Sequence, residues 1–398
     1  MKKLISMMAV LFLVIAIILA GCGKADQTSS NSEDVSRKTA DTTSSGKGAS
    51  TLNAKDGAGK LLEIANQLKT ELVGANGQKI KELGTQLEDT WSSFEDKVRP
   101  DYPLEYTSIE QYLVPLSAGL SISPLDQAAL TKLNDSLIQA IQDLLNAINN
   151  QKVAQKADNQ QLQAAMDQYK TYVLEQSASL VEETAAFVKA VLDGDIAKAK
   201  LLYGSSRIFY ERIEPIAESF GDLDPKIDAR ENDVEPAEWT GFHVLEKALW
   251  VDGSLRNQEK YANQLLEDVK ALHEQIKSVE LKPAQVIAGA VELLNEAGTS
   301  KVTGEEERYS HLDLLDLAAN VEGSKAAYDI IKASVQQQDA ELVKKIDERF
   351  NQLQQLLDSF RQGDSFKVYT DLTQENTKSI GQAIESTAEA LSQAAKIL

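Results

Sequence analysis

The chain contains 398 residues, and its 61 acidic and 41 basic side chains give it a formal net charge of −20 at pH 7. A charge this negative argues strongly against nucleic acid as a partner and suits cations better, although most of these charges form a solvated surface. Cys22 is the only cysteine, so neither disulfides nor thiolate metal sites are available to the folded part.

The N-terminus has the layout of a bacterial lipoprotein signal, which we expect to span residues 1–21. Two lysines precede an apolar run over residues 4–20, and Leu-Ala-Gly leads into Cys22. The run is too short for a comfortable membrane span, so a cleaved signal explains it better than an anchor helix. Lipid on the Cys22 thiol would hold the protein at the extracytoplasmic face of the cell membrane, on the surface of a Gram-positive bacterium rather than in a periplasm.

The next segment, residues 22–53, is rich in Ser, Thr, Gly, Asn, Lys and Asp and has almost no large apolar residues. It cannot bury a core, and we expect a flexible tether. The rest of the chain exceeds the usual size of a single core. A polar stretch at residues 151–158 favours a division into an N-terminal helical bundle over residues 54–155 and a C-terminal bundle over residues 156–398 that carries the metal-site motifs.

From Ala54 onward, apolar residues recur at helical spacing, and no alternating stretch is long enough for a strand. Proline and glycine are few, with 8 and 21 residues in the whole chain. We therefore predict an all-α fold of two packed up-and-down helical bundles. The predicted helices cover residues 55–73, 78–98, 125–150, 159–192, 195–220, 236–250, 257–278, 283–296, 311–333, 339–361 and 371–397.

Glu211 and Glu214 lie three residues apart in the predicted helix over residues 195–220, so they project from one helix face. Two neighbouring carboxylates repel each other, and this arrangement favours a cation. Arg212 and other solvent-side partners offer a purely structural explanation.

The following segment adds further potential ligands. An acidic stretch broken by Gly and Pro ends in Asp228, and His243 and Glu246 then form an H-x-x-E pair on one face of the next helix. In helical-bundle metalloproteins, Glu and His at this spacing build carboxylate-rich sites. A single H-x-x-E pair is weak support, but the short segment that also contains Glu211 and Glu214 makes a metal site a stronger prediction.

The donor types limit the metal. Without a thiolate and with three histidines in the chain, a site must consist mostly of oxygen with one or two imidazoles. Such a site suits ferric iron, manganese, calcium or magnesium better than structural zinc, although zinc is not excluded. The H-E-x-x-H helix of zinc proteases is absent at His273, which we interpret as a surface residue.

A second acidic cluster covers residues 305–313. Most of it is explained by a loop that Ser310 caps as the next helix starts, with Asp313 favourable in the first turn. Glu306, His311 and Asp313 are therefore weaker candidates for completing the site. Carboxylates clustered without a counter-charge would raise one another's pKa values, so the empty site is expected to hold protons.

These segments resemble the imelysin-like family, specifically the EfeO/EfeM branch of iron-uptake lipoproteins. The resemblance lies in YERIEPIAE at residues 210–218, FGDLD at residues 220–224, WTGFHxxE at residues 239–246 and RYSHxDL at residues 308–314. These motifs are specific, and a looser likeness covers about residues 55–398.

The resemblance implies two four-helix-bundle-like halves with a metal site in or beside the cleft between them. It implies a protein that captures iron, as Fe³⁺ or Fe²⁺, outside the membrane and passes it to a membrane iron permease, alongside a haem-containing peroxidase. Zinc, copper and calcium are alternative ions. The family's proposed ligands fall on Glu211, Glu214, Asp228, His243 and Glu246. The cupredoxin domain of some members is absent, which puts a copper-linked oxidation step in doubt.

Two other functions are compatible with the residues. The family has been classed as peptidases on its H-x-x-E motif, and a metallopeptidase is one alternative. A surface protein that binds acidic polysaccharide through bridging cations is the other. The sequence contains no P-loop, dinucleotide-binding glycine pattern or nucleophile elbow. The crowding of acidic residues fits the capture of a hard cation better than peptide hydrolysis, so we expect a binding protein rather than an enzyme.

Overall fold

The computed structural model describes residues 52–74, 77–121, 124–151, 160–363 and 365–395. The predicted signal, Cys22 and nearly all of the tether lie outside these residues. Within them the chain is helical apart from loops and one short hairpin of β1 (Arg361–Gln362) and β2 (Ser365–Phe366). The all-α prediction is confirmed. None of the described helices is long and apolar enough to span a membrane.

Four helices form the N-terminal part: α1 (Ala54–Gly74), α2 (Gly77–Ser92), α3 (Pro103–Ser121) and α4 (Gln127–Asn149), with a 3₁₀ turn at Glu95–Lys97. Each packs on its neighbour, and α4 returns to α1 to close the bundle. Apolar residues three and four apart place one stripe of each helix in a common core. Examples from α1 and α4 are Leu61, Leu68, Leu137 and Leu144.

Helix α3 was not predicted from the sequence. Pro103 occupies its first turn, where the missing N–H costs nothing, but Pro115 lies inside the helix, where proline normally breaks the hydrogen-bond ladder. The helix persists because its apolar face, including Ile109, Leu113 and Leu116, is fully buried. Tertiary packing therefore outweighs the local cost of Pro115.

The C-terminal part has a second, larger apolar core. Helix α11 lies at its centre and contacts α5, α6, α10 and α12, and α13 closes the packing against α10 and α12. The helices are α5 (Gln160–Leu192), α6 (Ile196–Ile213), α7 (Leu223–Asp228), α8 (Phe242–Lys247), α9 (Glu259–Ser278), α10 (Pro283–Thr299), α11 (Asp313–Gln338), α12 (Ala340–Asp358) and α13 (Gln374–Ala395). The short helical turns are Glu214–Phe220, Ala248–Asp252, Lys301–Thr303 and Tyr369–Asp371.

Several predicted boundaries differ from the structure. The helix predicted over residues 195–220 is α-helical only to Ile213, because Pro215 cannot continue the ladder and the chain tightens into a 3₁₀ segment. The helix predicted from residue 236 begins at Phe242, after an irregular loop over residues 229–241. The proposed division near residue 155 falls in residues 152–159, outside the described residues.

The two cores meet where α3 packs on α10. The guanidinium of Arg99 forms an ion pair with Glu292 and lies 4.3 Å from the centroid of the Tyr106 ring. The hydroxyl of Thr107 donates to the carbonyl of Ala288 at 3.5 Å. We propose that the chain consists of two subdomains joined by this contact.

Candidate metal centre

The predicted ligands lie in the C-terminal part, where α6, the end of α7, the start of α8 and α11 meet a loop over residues 304–312, hereafter the acidic loop. Gly241 fixes the geometry between α7 and α8. Its φ is +92°, and a Cβ atom there would lie 2.2 Å from the carbonyl oxygen of Ile227. Only glycine tolerates both conditions. The start of α8 therefore lies directly against the end of α7, which brings His243 beside Asp228.

His243 is the centre of the cluster. Its Nδ1 lies 2.9 Å from Oε2 of Glu246, the other member of the H-x-x-E pair. Its Nε2 is buried and has no hydrogen-bond partner. That nitrogen faces two carboxylate oxygens beyond hydrogen-bond distance, Oδ1 of Asp228 at 3.6 Å and Oε1 of Glu306 at 3.9 Å. An imidazole nitrogen without a partner between two carboxylates is a suitable metal ligand.

Glu246 contacts both the imidazole ring of His243 and the backbone of the acidic loop. Its Oε1 accepts the backbone N–H groups of Tyr309 at 2.9 Å and Ser310 at 2.7 Å, while its Oε2 faces His243. Burial alone would raise the pKa of Glu246, but His243 and these two N–H groups outweigh burial and lower it. A carboxylate on one imidazole nitrogen fixes which nitrogen carries the proton and turns the other towards a metal.

Two overlapping groups of ligand atoms share His243. In the first, atoms of Asp228, His243 and Glu306 all lie within 4.8 Å of one another; in the second, the same holds for His243, Glu246 and Glu307. The first group uses the unpartnered Nε2. It has the composition of a site with two carboxylates and one imidazole, which suits iron and manganese.

Arg207 is the main counter-charge of the cluster. Its guanidinium is fully buried, on the same face of α6 as Glu211, and forms ion pairs with five carboxylates. The guanidinium contacts Glu211 and Asp228 closely, Glu307 at 2.8 Å, Asp316 at 3.0 Å and Glu306 at 3.7 Å. Burial would raise the pKa of Asp228, but Arg207 outweighs burial and holds that pKa below its usual range.

Lys301 is a second buried counter-charge, and it holds the other predicted pair of ligands. Its ammonium lies 2.8 Å from Oε1 of Glu214 and 3.3 Å from Oε2 of Glu211. The amide nitrogen of Asn320 donates to both carboxylates, at 2.9 Å to Glu211 and 2.7 Å to Glu214. In this structure Glu211 and Glu214 therefore bind Lys301 and Asn320.

The structure differs here from the expectation of carboxylates without a counter-charge. Arg207 and Lys301 are both buried among them. Burial still raises the pKa of Glu214 well above its usual value despite Lys301, whereas Lys301 and Arg207 outweigh burial at Glu211 and lower its pKa. The carboxylates thus do not raise one another's pKa values uniformly, because each has a different share of the two cations.

The predicted residues lie in three different surroundings. Asp228, His243 and Glu246 come together, and Glu306, a weaker candidate, joins them. Glu211 and Glu214 form the adjacent pair on Lys301. Asp313 accepts the N–H of Glu307 at 3.0 Å and so shapes the acidic loop. His311 belongs to neither group of ligand atoms and has a φ of +59°.

Ser310 was predicted to cap the helix that became α11, and this prediction is wrong. The residue before α11 is Leu312, and no side chain caps the helix. The Ser310 hydroxyl instead donates to the carboxylate of Glu307. His273, predicted to be a surface residue, is half-buried on α9 and its Nδ1 lies 2.8 Å from the hydroxyl of Ser177.

Sequence reasoning missed Arg207, Lys301, Glu307, Asp316 and Asn320. Two patterns in the sequence could have identified some of these residues. Arg207 precedes Glu211 by four residues, the spacing of an ion pair on one helix face, and Asp316 and Asn320 follow Asp313 at helical spacing, in a line along one face of α11. Glu307 and Lys301 lack such a pattern, because only the tertiary fold brings them to the cluster.

Together, this fold and this cluster define an all-helical protein with a buried carboxylate and histidine centre that contains its own counter-charges. The chain belongs to the imelysin family, whose family model matches residues 165–396. That region contains every residue of the centre.

Relatives with similar sequences carry names that refer to iron uptake. The chain is 43% identical over 386 residues to the iron uptake system component EfeM of Bacillus subtilis, and the aligned region covers 96% of this chain and 97% of that protein. It is 41% identical over 255 residues to an EfeM/EfeO family lipoprotein of Staphylococcus haemolyticus, covering 63% and 89%. It is 43% identical over 241 residues to the iron uptake system component EfeO of Escherichia coli K12, covering 60% and 64%.

Proposed function

We propose that this chain is an extracytoplasmic, lipid-anchored iron-binding component of an iron uptake system. The observation that carries the proposal is the buried Nε2 of His243, which has no hydrogen bond and faces the carboxylates of Asp228 and Glu306. The names of the relatives support a role in iron uptake, and they support a binding role over an enzymatic one.

In the proposed complex, Asp228, His243 and Glu306 hold the ion and Glu246 orients the imidazole. Burial and Arg207 favour the neutral ring, but the carboxylates of Asp228 and Glu246 outweigh them and raise the pKa of His243 to about 9. Iron must therefore displace a proton from the ring when it binds. The proton on Nδ1 remains with Glu246, so the lone pair of Nε2 becomes available to the metal.

The proposal extends to delivery. An ion held by two carboxylates and one imidazole remains exchangeable, because coordination positions are left for water or for a receiving protein. We propose that the iron passes to a membrane permease, and that a haem-containing peroxidase belongs to the same system. The lipid on Cys22 would keep the loaded protein close to these membrane partners.

The metal preference is tested with the full-length protein purified in detergent. We expect elemental analysis to find iron after exposure to anaerobic ferrous ion or to ferric citrate, and to find less zinc, copper or calcium after exposure to those ions. Glu306→Gln, which removes one ligand charge, should lower the bound iron at least about tenfold at subsaturating metal. Equal iron content in the variant and the wild type would contradict the assignment of Glu306.

The anchor is tested separately. We expect Cys22→Ser to leave the protein without lipid and to move it from the membrane fraction to the soluble fraction, because Cys22 is the one cysteine of the chain and so the one thiol that can carry the lipid. Iron binding should remain unchanged, since every proposed ligand lies after residue 200 in the sequence. Retention of the variant in the membrane fraction would show that another segment anchors the chain.

A metallopeptidase is the second candidate, because Asp228, His243 and Glu306 also supply the three protein ligands that catalytic zinc uses. Substrate access disfavours it. The side chains of His243 and Glu306 are only 2% and 5% exposed, which leaves little space for a peptide chain beside an ion held at this site. Zinc-dependent cleavage of a peptide library, lost in His243→Gln, would favour the peptidase.

A further inference from the structure

We infer that Arg230 is a resident cation at the outer side of the metal centre. It competes with the incoming ion for Glu306, and when the ion binds, it releases Glu306 and keeps its ion pairs with two outer carboxylates. This inference deepens the proposed function and rests on it. It concerns a residue that lies next to the centre and cannot be a ligand itself.

The first step of the argument is the position of Glu306 between two sets of charges. Its Oε1 faces inwards, 3.9 Å from Nε2 of His243 and 3.7 Å from the guanidinium of Arg207. Its Oε2 lies 3.3 Å from the guanidinium of Arg230. One oxygen of this carboxylate therefore belongs to the metal centre, while the other binds Arg230.

The second step is the side of the metal centre on which solvent lies. Exposure rises outwards from the centre: the side chain of Glu306 is 5% exposed, Arg230 13%, Asp233 20% and Glu305 37%. Arg230 thus lies between the buried centre and the solvent. A cation that approaches Glu306 from this side meets the positive guanidinium first.

The third step is that Arg230 already has two other partners. Its Nε donates to Asp233 at 2.9 Å, and the same guanidinium nitrogen that contacts Glu306 lies 3.5 Å from Glu305. When Arg230 leaves Glu306, its guanidinium remains paired with these outer carboxylates, so the movement does not leave an unpaired charge in the interior. The planar guanidinium can exchange one carboxylate for another by a small rotation.

Removal of the Arg230 charge should therefore strengthen iron binding rather than weaken it. In Arg230→Gln the ion no longer competes with, or is repelled by, a guanidinium beside Glu306. We expect ferrous ion to associate at least about fivefold faster and the Kd to fall by at least about fivefold at low salt, with a smaller difference at high salt. Stopped-flow mixing and anaerobic titration calorimetry of the full-length protein measure both quantities.

Two variants provide controls. Arg308→Gln removes the same charge from the acidic loop, but Arg308 donates to the backbone carbonyls of Glu305 and Glu231 rather than to the centre. Arg230→Lys keeps the charge beside Glu306. Both should bind ferrous ion within about twofold of the wild type.

Other outcomes overturn the inference. Equal rates and affinities in Arg230→Gln and the wild type would show that Arg230 does not compete with the ion. Weaker binding in both Arg230→Gln and Arg230→Lys, with an unchanged helical signal, would show that Arg230 only holds the loop over residues 229–241 in place. If the wild type and every variant bind no iron, the proposed function fails and the inference fails with it.

Discussion

His243→Gln is expected to weaken iron binding by at least about a hundredfold, because it removes the one imidazole ligand and the group that Glu246 orients. Glutamine is close in length and still forms a hydrogen bond with Glu246, so the acidic loop should keep its position. Anaerobic titration calorimetry with ferrous ion measures the change. His273→Gln is the matched control, since His273 contacts Ser177 and belongs to neither group of ligand atoms, and it should leave the affinity unchanged.

The same measurement has a pH dependence with a defined sign. The pKa of His243 is raised to about 9, so the ring carries an extra proton at neutral pH that iron must displace. Wild-type affinity should therefore fall as the pH is lowered from 8 to 6, and the decrease should be smaller in His243→Gln. Wild-type affinity in His243→Gln, with a normal helical signal, would show that His243 is an ordinary buried histidine.

Arg207→Met is expected to cause the largest loss of stability, about 3–5 kcal/mol, because it leaves several buried carboxylates without their shared partner. Methionine fills much of the space, so the loss reports charge rather than a cavity. The thermal midpoint should fall by about 10 °C at pH 7.5. The loss should be smaller at pH 5, where Asp228 and Glu211 can take up protons in the variant. In the wild type both are buried, and Arg207 helps to hold their pKa values below the usual range, so they are the carboxylates left charged when Arg207 is removed.

Arg212→Met is the control for this change. Arg212 is on the same helix, but its ion pair with Glu322 has side chains that are 25% and 34% exposed. Such pairs contribute at most about 1 kcal/mol. If the two variants unfold at the same temperature, the buried position of Arg207 contributes nothing beyond a surface ion pair.

Local patterns were sufficient for most of the fold and for part of the centre. The spacing of apolar residues predicted the helices, and the three-residue spacing of His243 and Glu246 predicted that they share a helix face. The same rules failed at α3, because the buried apolar face that stabilises Pro115 depends on partners elsewhere in the chain.

The charge balance of the centre could not be predicted from local patterns. Lys301 reaches Glu214 across 87 positions in the chain, and Arg207 reaches Asp316 across 109. A sequence shows that carboxylates are near one another along a helix, but only the packing of α11 on α6 shows which cations share their space. For this reason Glu211 and Glu214 were predicted as ligands, whereas the structure pairs them with Lys301.

The separation of the two apolar cores has a consequence for how such a protein diversifies. All residues of the centre belong to the part after residue 160, while the apolar side chains of α1 to α4 pack in the other core. Substitutions among the apolar residues of the first bundle change no residue of the centre. Natural selection can therefore change the surface of the N-terminal bundle and the chemistry of the carboxylate and histidine centre through separate sets of residues, linked mainly at the contact of α3 with α10.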